Sequence, residues 1–290
     1  MEFSNLTFHV GLHKTGTTFL QANVFPCLQG VDNLVWRNLE YFLRLESEKN
    51  YLVSCEGLSG STFASTAQRI RAISLLGKMF PRARVIVTIR PHGEYLKSLY
   101  SQYLRYGGTR PFDGFVLLPF KDDDGSSPQE GHLIRAADLS YRAIIEAAGK
   151  SFSGPPLVCT MADMFRDPGS FVAEVCAHVR CEPGGAIGAF KKKSPSNVGI
   201  RKRQASLLRA MNGLFNPPLS LDGRNRPYRR LAKFRLDPVT ICFRWLSMIP
   251  SSSLVPDQLV SRLNDHFSED WQFVEHYIRA RPWADTSARA

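Results

Sequence analysis

The sequence predicts an α/β fold: a central parallel sheet between two helical layers, a three-layer sandwich with a helical C-terminal part. Three observations predict it. Ala83 to Ile89, Ala-Arg-Val-Ile-Val-Thr-Ile, is a nearly continuous apolar run, the pattern of a strand buried on both faces. Strand-like and helix-like segments alternate along the chain, an order that right-handed crossovers convert into a parallel sheet. Thr7 to Gln21 passes from a strand through a glycine-bearing loop into a helix. With 290 residues, 43% of them hydrophobic, the chain can bury a full core. It reads as one domain over 1–290, with a core at about 5–200 and a basic, helical extension at about 201–290.

Thr7 to Val10 is a short β-prone run, Gly11 to Thr18 a tight loop, and the segment from Thr17 through Phe19, Leu20 and Val24 the start of a helix. Asn33 to Leu45, with Trp36, Tyr41 and Phe42, reads as helix or loop. Tyr51 to Cys55 is apolar and β-prone and ends directly on Glu56. Ser59 to Ser65 is a Gly/Ser-rich loop. Thr66 to Met79 carries Ile70, Ile73, Leu76 and Met79 at helical spacing, and Pro81 closes it. After the buried strand come Arg90 and Pro91, then a helix over Glu94 to Tyr106.

Gly107 to Gly131 breaks the regularity with paired glycines, the aspartate run Asp122 to Asp124 and prolines; some helix is expected near Phe112 to Leu118. Leu139 to Ala148 reads as a helix, Pro156 to Thr160 as a strand, Pro168 to Val179 as a helix and Lys191 to Gly199 as a polar loop. Arg201 to Leu214 is amphipathic, with Ala205, Leu208, Met211 and Leu214 on one stripe. Asn216 to Asp237 is basic and turn-rich, and Val239 to Ile249 is apolar. Leu259 to Ile278 reads as one final helix.

The net charge of +11 favours an anionic ligand or surface. The excess sits between Lys191 and Arg235, where Asp222 is the only acid. The six cysteines form no Cys-x-x-Cys pair and no zinc spacing with histidine, so they read as reduced, mostly buried thiols. No run of about twenty apolar residues offers a membrane span. The first ten residues enter a strand without a basic-then-apolar leader, which reads as a cytoplasmic chain.

The Thr7–Gln21 stretch makes an anion site. The first turn of a helix leaves N–H groups without intrahelical partners, and the helix dipole favours negative charge there. Lys14 adds a full charge, Thr15, Thr17 and Thr18 add hydroxyls, and Gly11 and Gly16 allow close approach of the backbone. The order differs from a P-loop, Gly-x-x-x-x-Gly-Lys-Ser/Thr, because Lys14 precedes Gly16. A second candidate half-site is Arg90 at the carboxyl end of the buried strand, with Ser98 eight residues on in the next helix. Ligands of open α/β sheets bind outside strand carboxyl ends, so both halves face one crevice.

Lys14-Thr15-Gly16-Thr17-Thr18-Phe19 resembles the phosphosulfate loop of sulfotransferases that use 3′-phosphoadenosine 5′-phosphosulfate (PAPS), and Arg90-Pro91 with Ser98 resembles their 3′-phosphate motif. The resemblance implies a P-loop-like fold and transfer of a sulfonate from PAPS to an acceptor hydroxyl or amine of a carbohydrate or glycolipid, with PAP as product and no metal. It implies that Lys14 meets the sulfonate and bridging oxygen, that Thr15 to Thr18 hold the 5′-phosphate, that Arg90 and Ser98 hold the 3′-phosphate, and that Phe19 stacks on adenine. Asn197-Val198-Gly199 is similar to an Asn-x-Ser segment of bacterial members, with Gly199 in the place of serine. The Arg-Lys-Gly motif of cytosolic animal members is not present as such; Lys191–Lys193 or Arg201–Arg203 are its candidate replacements.

Sulfuryl transfer needs an in-line displacement, positioning of the reactants and a base for the acceptor proton. Glu56 is the first candidate base; His13 and His92, beside the two motifs, are the alternatives. Three other readings stay open, one of them a sulfotransferase-like protein that binds PAPS and has lost transfer. A nucleotide-binding kinase or NTPase would need Mg²⁺ and an acidic strand end. A non-catalytic, basic nucleic-acid-binding protein would use the Lys191–Arg235 stretch, although no recognition motif accompanies the charge.

Overall fold

The computed structural model describes residues 4–35, 46, 48–119, 133–192, 200–215 and 252–280. Five strands, β1 (Leu6–His9), β2 (Val31–Val35), β3 (Asn50–Ser54), β4 (Arg84–Ile89) and β7 (Leu157–Thr160), form a sheet in the order β2-β3-β1-β4-β7. Every pairing is parallel, as the alternation of segments requires. The first strand is therefore central, and the chain fills one side of it before crossing to the other. The carboxyl ends of β1, β3 and β4 meet at that topological switch point. A separate two-stranded pairing joins β5 (Val116–Leu117) to β6 (Ile134–Arg135).

Alternation along the strands builds two cores. Leu6, Phe8, Val53, Val85, Val87 and Ile89 face one side, under α2 (Thr66–Met79), α3 (His92–Arg105) and α5 (Tyr141–Ser151). Leu52, Ile86, Leu157 and Cys159 face the other, under the first helical segment and α7 (Pro168–Val179). This is the expected three-layer α/β sandwich. β4 reads as a nearly continuous apolar run because both its faces are covered, whereas β1, Leu-Thr-Phe-His, buries Thr7 and His9. The first helical segment is irregular: α1 is only Thr17–Phe19 and continues as a π-turn over Leu20–Val24 and a 3₁₀ turn over Phe25–Cys27. Pro26, near the start of that last turn, lacks the N–H that a continuing α-helix would use.

Several element boundaries differ from the sequence reading, each for a local reason. Residues 31–35 form a strand where the segment from Asn33 was expected to be helix or loop; Asp32 and Asn33 at its middle hide a half-solvated edge strand. Residues 36–45, including Trp36, Tyr41 and Phe42, lie outside the described residues. The expected final helix is two, α10 (Asp257–His266) and α11 (Ser268–Arg279), broken at Phe267. Phe267 leaves the helical track and its ring stacks 4.2 Å from that of His92. The stripe through Leu263, Phe267 and Val274 is buried nonetheless.

α4 (Phe112–Phe115) lies where some helix was expected, and two short helices, α6 (Met161–Arg166) and α8 (Ala186–Lys192), fill stretches largely left unassigned. α9 (Lys202–Phe215) matches the amphipathic stretch and docks on the end of α3, where Asn212 Nδ2 donates to Leu104 O (2.9 Å) and Gly108 O (2.7 Å). The five described cysteines carry no disulfide. Residues 193–199 and 216–251, with most of the basic stretch and Cys242, lie outside the described residues.

α2 packs closely on α5 at Gly77, where an added Cβ would sit 2.4 Å from the backbone oxygen of Ser151. Gly188 in α8 has open space around the same position. Gly77→Ala is therefore expected to destabilise by about 1–3 kcal/mol through overpacking. Gly188→Ala is expected to be neutral or to stabilise by up to about 1 kcal/mol through helix propensity. Urea denaturation of the two variants checks both signs.

Candidate functional site

The loop after β1 stays attached to the sheet. Val10 N donates to Ile86 O (2.9 Å) and Leu12 N to Thr88 O (3.2 Å), so the chain follows β4 beyond the last ladder pair. It then turns over. Lys14 has φ 70° and Gly16 φ 95°, two left-handed residues flanking Thr15. For a lysine that conformation costs about 1 kcal/mol or more, and such strain persists where the surroundings impose it. Gly16 is the N-cap of α1, no side chain caps this helix start, and its first turn carries no acid. The helix start is thus open to an anion.

Between the two left-handed residues, Thr15 is fully buried. Its hydroxyl donates to Leu12 O (2.6 Å) and lies 2.8 Å from Thr88 Oγ1. Thr17 is also buried, and its Oγ1 has no partner among the described residues. Thr18 is exposed. Phe19 is half-buried in a cluster with Phe165 (5.0 Å) and Phe190 (5.2 Å) that packs against the second core.

Arg90 closes the loop from the neighbouring strand end. Its Nη1 donates to Lys14 O (3.2 Å), which joins the two sequence motifs directly, while Nε is buried with no partner among the described residues. Burial lowers its pKa from the usual guanidinium value, with Glu94 and Tyr141 opposing. Tyr141 Oη donates to Arg90 O (2.8 Å) and fixes the strand end. Ser98 lies half-buried two turns into α3 and makes no hydrogen bond to the loop among the described residues. The start of α3 is already engaged: Gly93 N donates to Asn264 Oδ1 (2.8 Å) on α10.

On the other side of the loop, His13 Nε2 lies 3.9 Å from Glu56 Oε2. Glu56 opens a 3₁₀ turn just past β3 and keeps 31% of its side chain exposed. Burial raises its pKa above the ordinary carboxylate range, and Lys14 pulls it back. Burial, then Arg69, then Lys14 hold His13 neutral, with a pKa of about 3, and its Nδ1 is buried without a partner among the described residues. His92 does not join this group. It is buried between Tyr141 and Phe267, and its Nε2 lies 3.1 Å from Asp270 Oδ2. It anchors the C-terminal helices to α3 instead.

Two parts of the site escaped the sequence reading. Arg69 is 1% exposed and holds the turn after Glu56, donating to Ser59 O (3.2 Å), Thr62 O (3.2 Å) and Tyr95 Oη (2.9 Å). Its signal was an arginine one turn before Ile73 on the apolar stripe of α2. The other part is a buried polar group under the loop. His9 Nδ1 lies 2.7 Å from Ser54 Oγ and Nε2 lies 3.1 Å from Thr88 Oγ1, while Gln21 Nε2 donates to Ser54 O (2.9 Å) and Oγ (3.0 Å). Its signal was His9 and Thr88 inside otherwise apolar strands. Among the described residues no group of three or more His, Cys, Asp or Glu side chains is gathered to hold a metal ion. No described helix is long and apolar enough to cross a membrane.

Fold and site together describe an α/β protein with a glycine-bearing loop and a helix start without a side-chain cap at its switch point. No protein-family model matches the chain, and no curated protein matches its sequence. Among solved structures it is similar to a sulfotransferase from Alicyclobacillus acidocaldarius, at 13% identity and TM-score 0.45, over 71% of this chain and 91% of the other. It is also similar to mouse sulfotransferase SULT7A1 complexed with PAP, at 13% identity and TM-score 0.41, over 84% and 89% of the two chains.

His9 and His13 give this region an acid sensitivity. Burial of His9 lowers its pKa from 6.5 to about 3, and His13 falls equally far. A histidine with a depressed folded pKa takes its proton first in the unfolded chain. The stabilisation is therefore complete above about pH 6.5 and is lost as pH falls toward 3. At pH 5 each histidine is expected to cost on the order of 2 kcal/mol relative to neutral pH. Urea denaturation at pH 7.5 and 5.0 measures the loss, and His13→Asn should reduce it by its share.

Proposed function

We propose that this chain is a PAPS-dependent sulfotransferase that sulfates a hydroxyl or amine, with a carbohydrate or glycolipid as acceptor. The observation that carries this reading is the junction of the two motifs. Lys14 stands in a left-handed turn before Gly16, and the Arg90 guanidinium bonds that turn's carbonyl while keeping a buried Nε unpartnered. Arg90 Nε and Thr17 Oγ1, donors without a partner among the described residues, suit a ligand with phosphates at both ends. The loop from Thr15 to Thr18 would hold the 5′-phosphate. Arg90 with Ser98 would hold the 3′-phosphate, and Phe19 would meet the adenine. Bound PAPS supplies an activated sulfonate on a leaving group that departs as PAP.

The chain's own groups then have distinct tasks. Lys14 supplies positive charge where the bridging oxygen becomes anionic, a stabilisation that grows as the bond breaks. Glu56 takes the acceptor proton. Burial raises its pKa toward the working range of a base, and its partly exposed carboxylate leaves an acceptor room to approach. His13, with a pKa of about 3, is too weak a base at neutral pH to compete, and it serves as a neutral wall beside Glu56. The exposed Lys202 and Arg203 at the start of α9 are suited to an anionic glycan.

Calorimetric titration separates the classes: PAP should bind without Mg²⁺, and tighter ATP binding with Mg²⁺ would favour the kinase reading. Labelled PAPS offered with glycans, lipids and phenols identifies the acceptor. Glu56→Gln is expected to lower kcat by about 10²- to 10⁴-fold with PAP affinity within a few-fold, and near-normal turnover rejects the base. Lys14→Ala is expected to lower kcat by about 10²- to 10³-fold at saturating PAPS. Any turnover it retains should show its acid limb at higher pH, because Lys14 lowers the Glu56 pKa and a base works only when deprotonated.

A further inference from the structure

The buried contacts under the loop have only one consistent direction. Thr15 Oγ1 has a single proton, and it goes to Leu12 O. At the 2.8 Å contact between the two threonines, Thr88 must therefore donate. Its proton is then spent, so His9 Nε2–H must donate to Thr88 at 3.1 Å. Burial keeps His9 neutral, so Nδ1 is bare and accepts from Ser54 at 2.7 Å. Ser54 Oγ in turn accepts from Gln21. The chain runs one way, from Gln21 on the first helical segment through β3, β1 and β4 to the loop carbonyl of Leu12.

We propose that His9 and Thr88 are positioning residues for the anion loop: this one-way chain pins Thr15 in the core and thereby turns the backbone of Lys14 and Gly16 outward to the ligand. Thr15 is fully buried, and the residues on either side of it are the left-handed ones. A hydroxyl drawn inward by two bonds fixes the centre of the turn, so its neighbours absorb the reversal. The packing leaves no slack. A Cβ at Gly11 would lie 2.3 Å from Thr17 Oγ1, 2.6 Å from Thr88 Oγ1 and 2.9 Å from the His9 ring. The edge of the Phe25 ring, with centroids 5.2 Å apart, holds the imidazole from the helical side. The chain ends under the anion loop and hydrogen-bonds neither Thr17 Oγ1 nor Arg90 Nε, which have no partner among the described residues, so its role is geometric. Only the identity of the ligand rests on the sulfotransferase reading.

Thr88→Val removes the link with nearly the same shape and keeps a β-branched side chain on a central strand, whereas Thr88→Ser keeps the hydroxyl. Hydrogen exchange in the ligand-free protein should be about tenfold faster for the Gly11–Thr18 amides in Thr88→Val, with the β3 and β7 amides unchanged. Thr88→Ser should stay within about threefold of wild type. PAP affinity should fall about tenfold in Thr88→Val and be retained in Thr88→Ser. Unchanged loop exchange in Thr88→Val, or a uniform rise across the sheet, overturns the proposal. Failure of the wild-type protein to bind PAP would overturn the sulfotransferase reading instead, while the exchange comparison still decides the role of the chain.

Discussion

The site depends on one constraint: Thr15 is held inside the protein while the residues on both sides of it are turned over. A threonine hydroxyl 2.6 Å from Leu12 O and 2.8 Å from Thr88 Oγ1 is fixed from two directions. The left-handed backbone of Lys14, unfavourable in isolation, follows from that anchor. The turn brings the Lys14 carbonyl within reach of Arg90, and so links β1 to the end of β4. Moving Thr15 outward would release the lysine, the arginine contact and the helix start together.

The same place is electrostatically one-sided. Lys14, Arg69 and Arg90 bring positive charge to it, Glu56 feels Lys14, and Glu94 acts on Arg90. Arg69 is the costly member, a buried cation held by two carbonyls and a phenol rather than by an acid. Its field and that of Lys14 reinforce burial in keeping His13 neutral. Glu56 feels opposite effects, from burial that raises its pKa and from Lys14 that lowers it. Two neighbouring titratable groups are thereby separated in role, one a neutral wall and one a base under the proposed reading.

Much of this was legible in the sequence because it is local. The Lys14–Phe19 order, the apolar run ending in Arg90 and the strand ending in Glu56 each specify a turn or strand end within a few residues. The parallel sheet followed from alternation alone. The edge strand Val31–Val35 was not legible, because a half-solvated strand with Asp32 and Asn33 at its centre lacks the apolar signature of its neighbours. Nor was the break at Phe267, where a long-range ring contact with His92 overrides helical periodicity. His92 itself illustrates the limit. It adjoins the motif in sequence, yet Asp270, some 180 residues on, gives it a partner that only the fold reveals.

The polar chain under the loop explains why the two sheet faces differ. The α2 side is filled with aliphatic and aromatic groups up to the strand ends, at Val10, Val53 and Ile89. The other side is apolar at Leu52, Ile86 and Leu157 but changes to His9, Ser54 and Thr88 next to the loop. An apolar filling there would pack equally well, but it would give Thr15 no bond across the sheet. Buried polar groups cost free energy unless every member is paired, and here each member from Gln21 to Thr15 is. The strand ends thus trade apolar burial for direction, and what they direct is the backbone of Lys14 and Gly16, which under the proposed reading faces the anion.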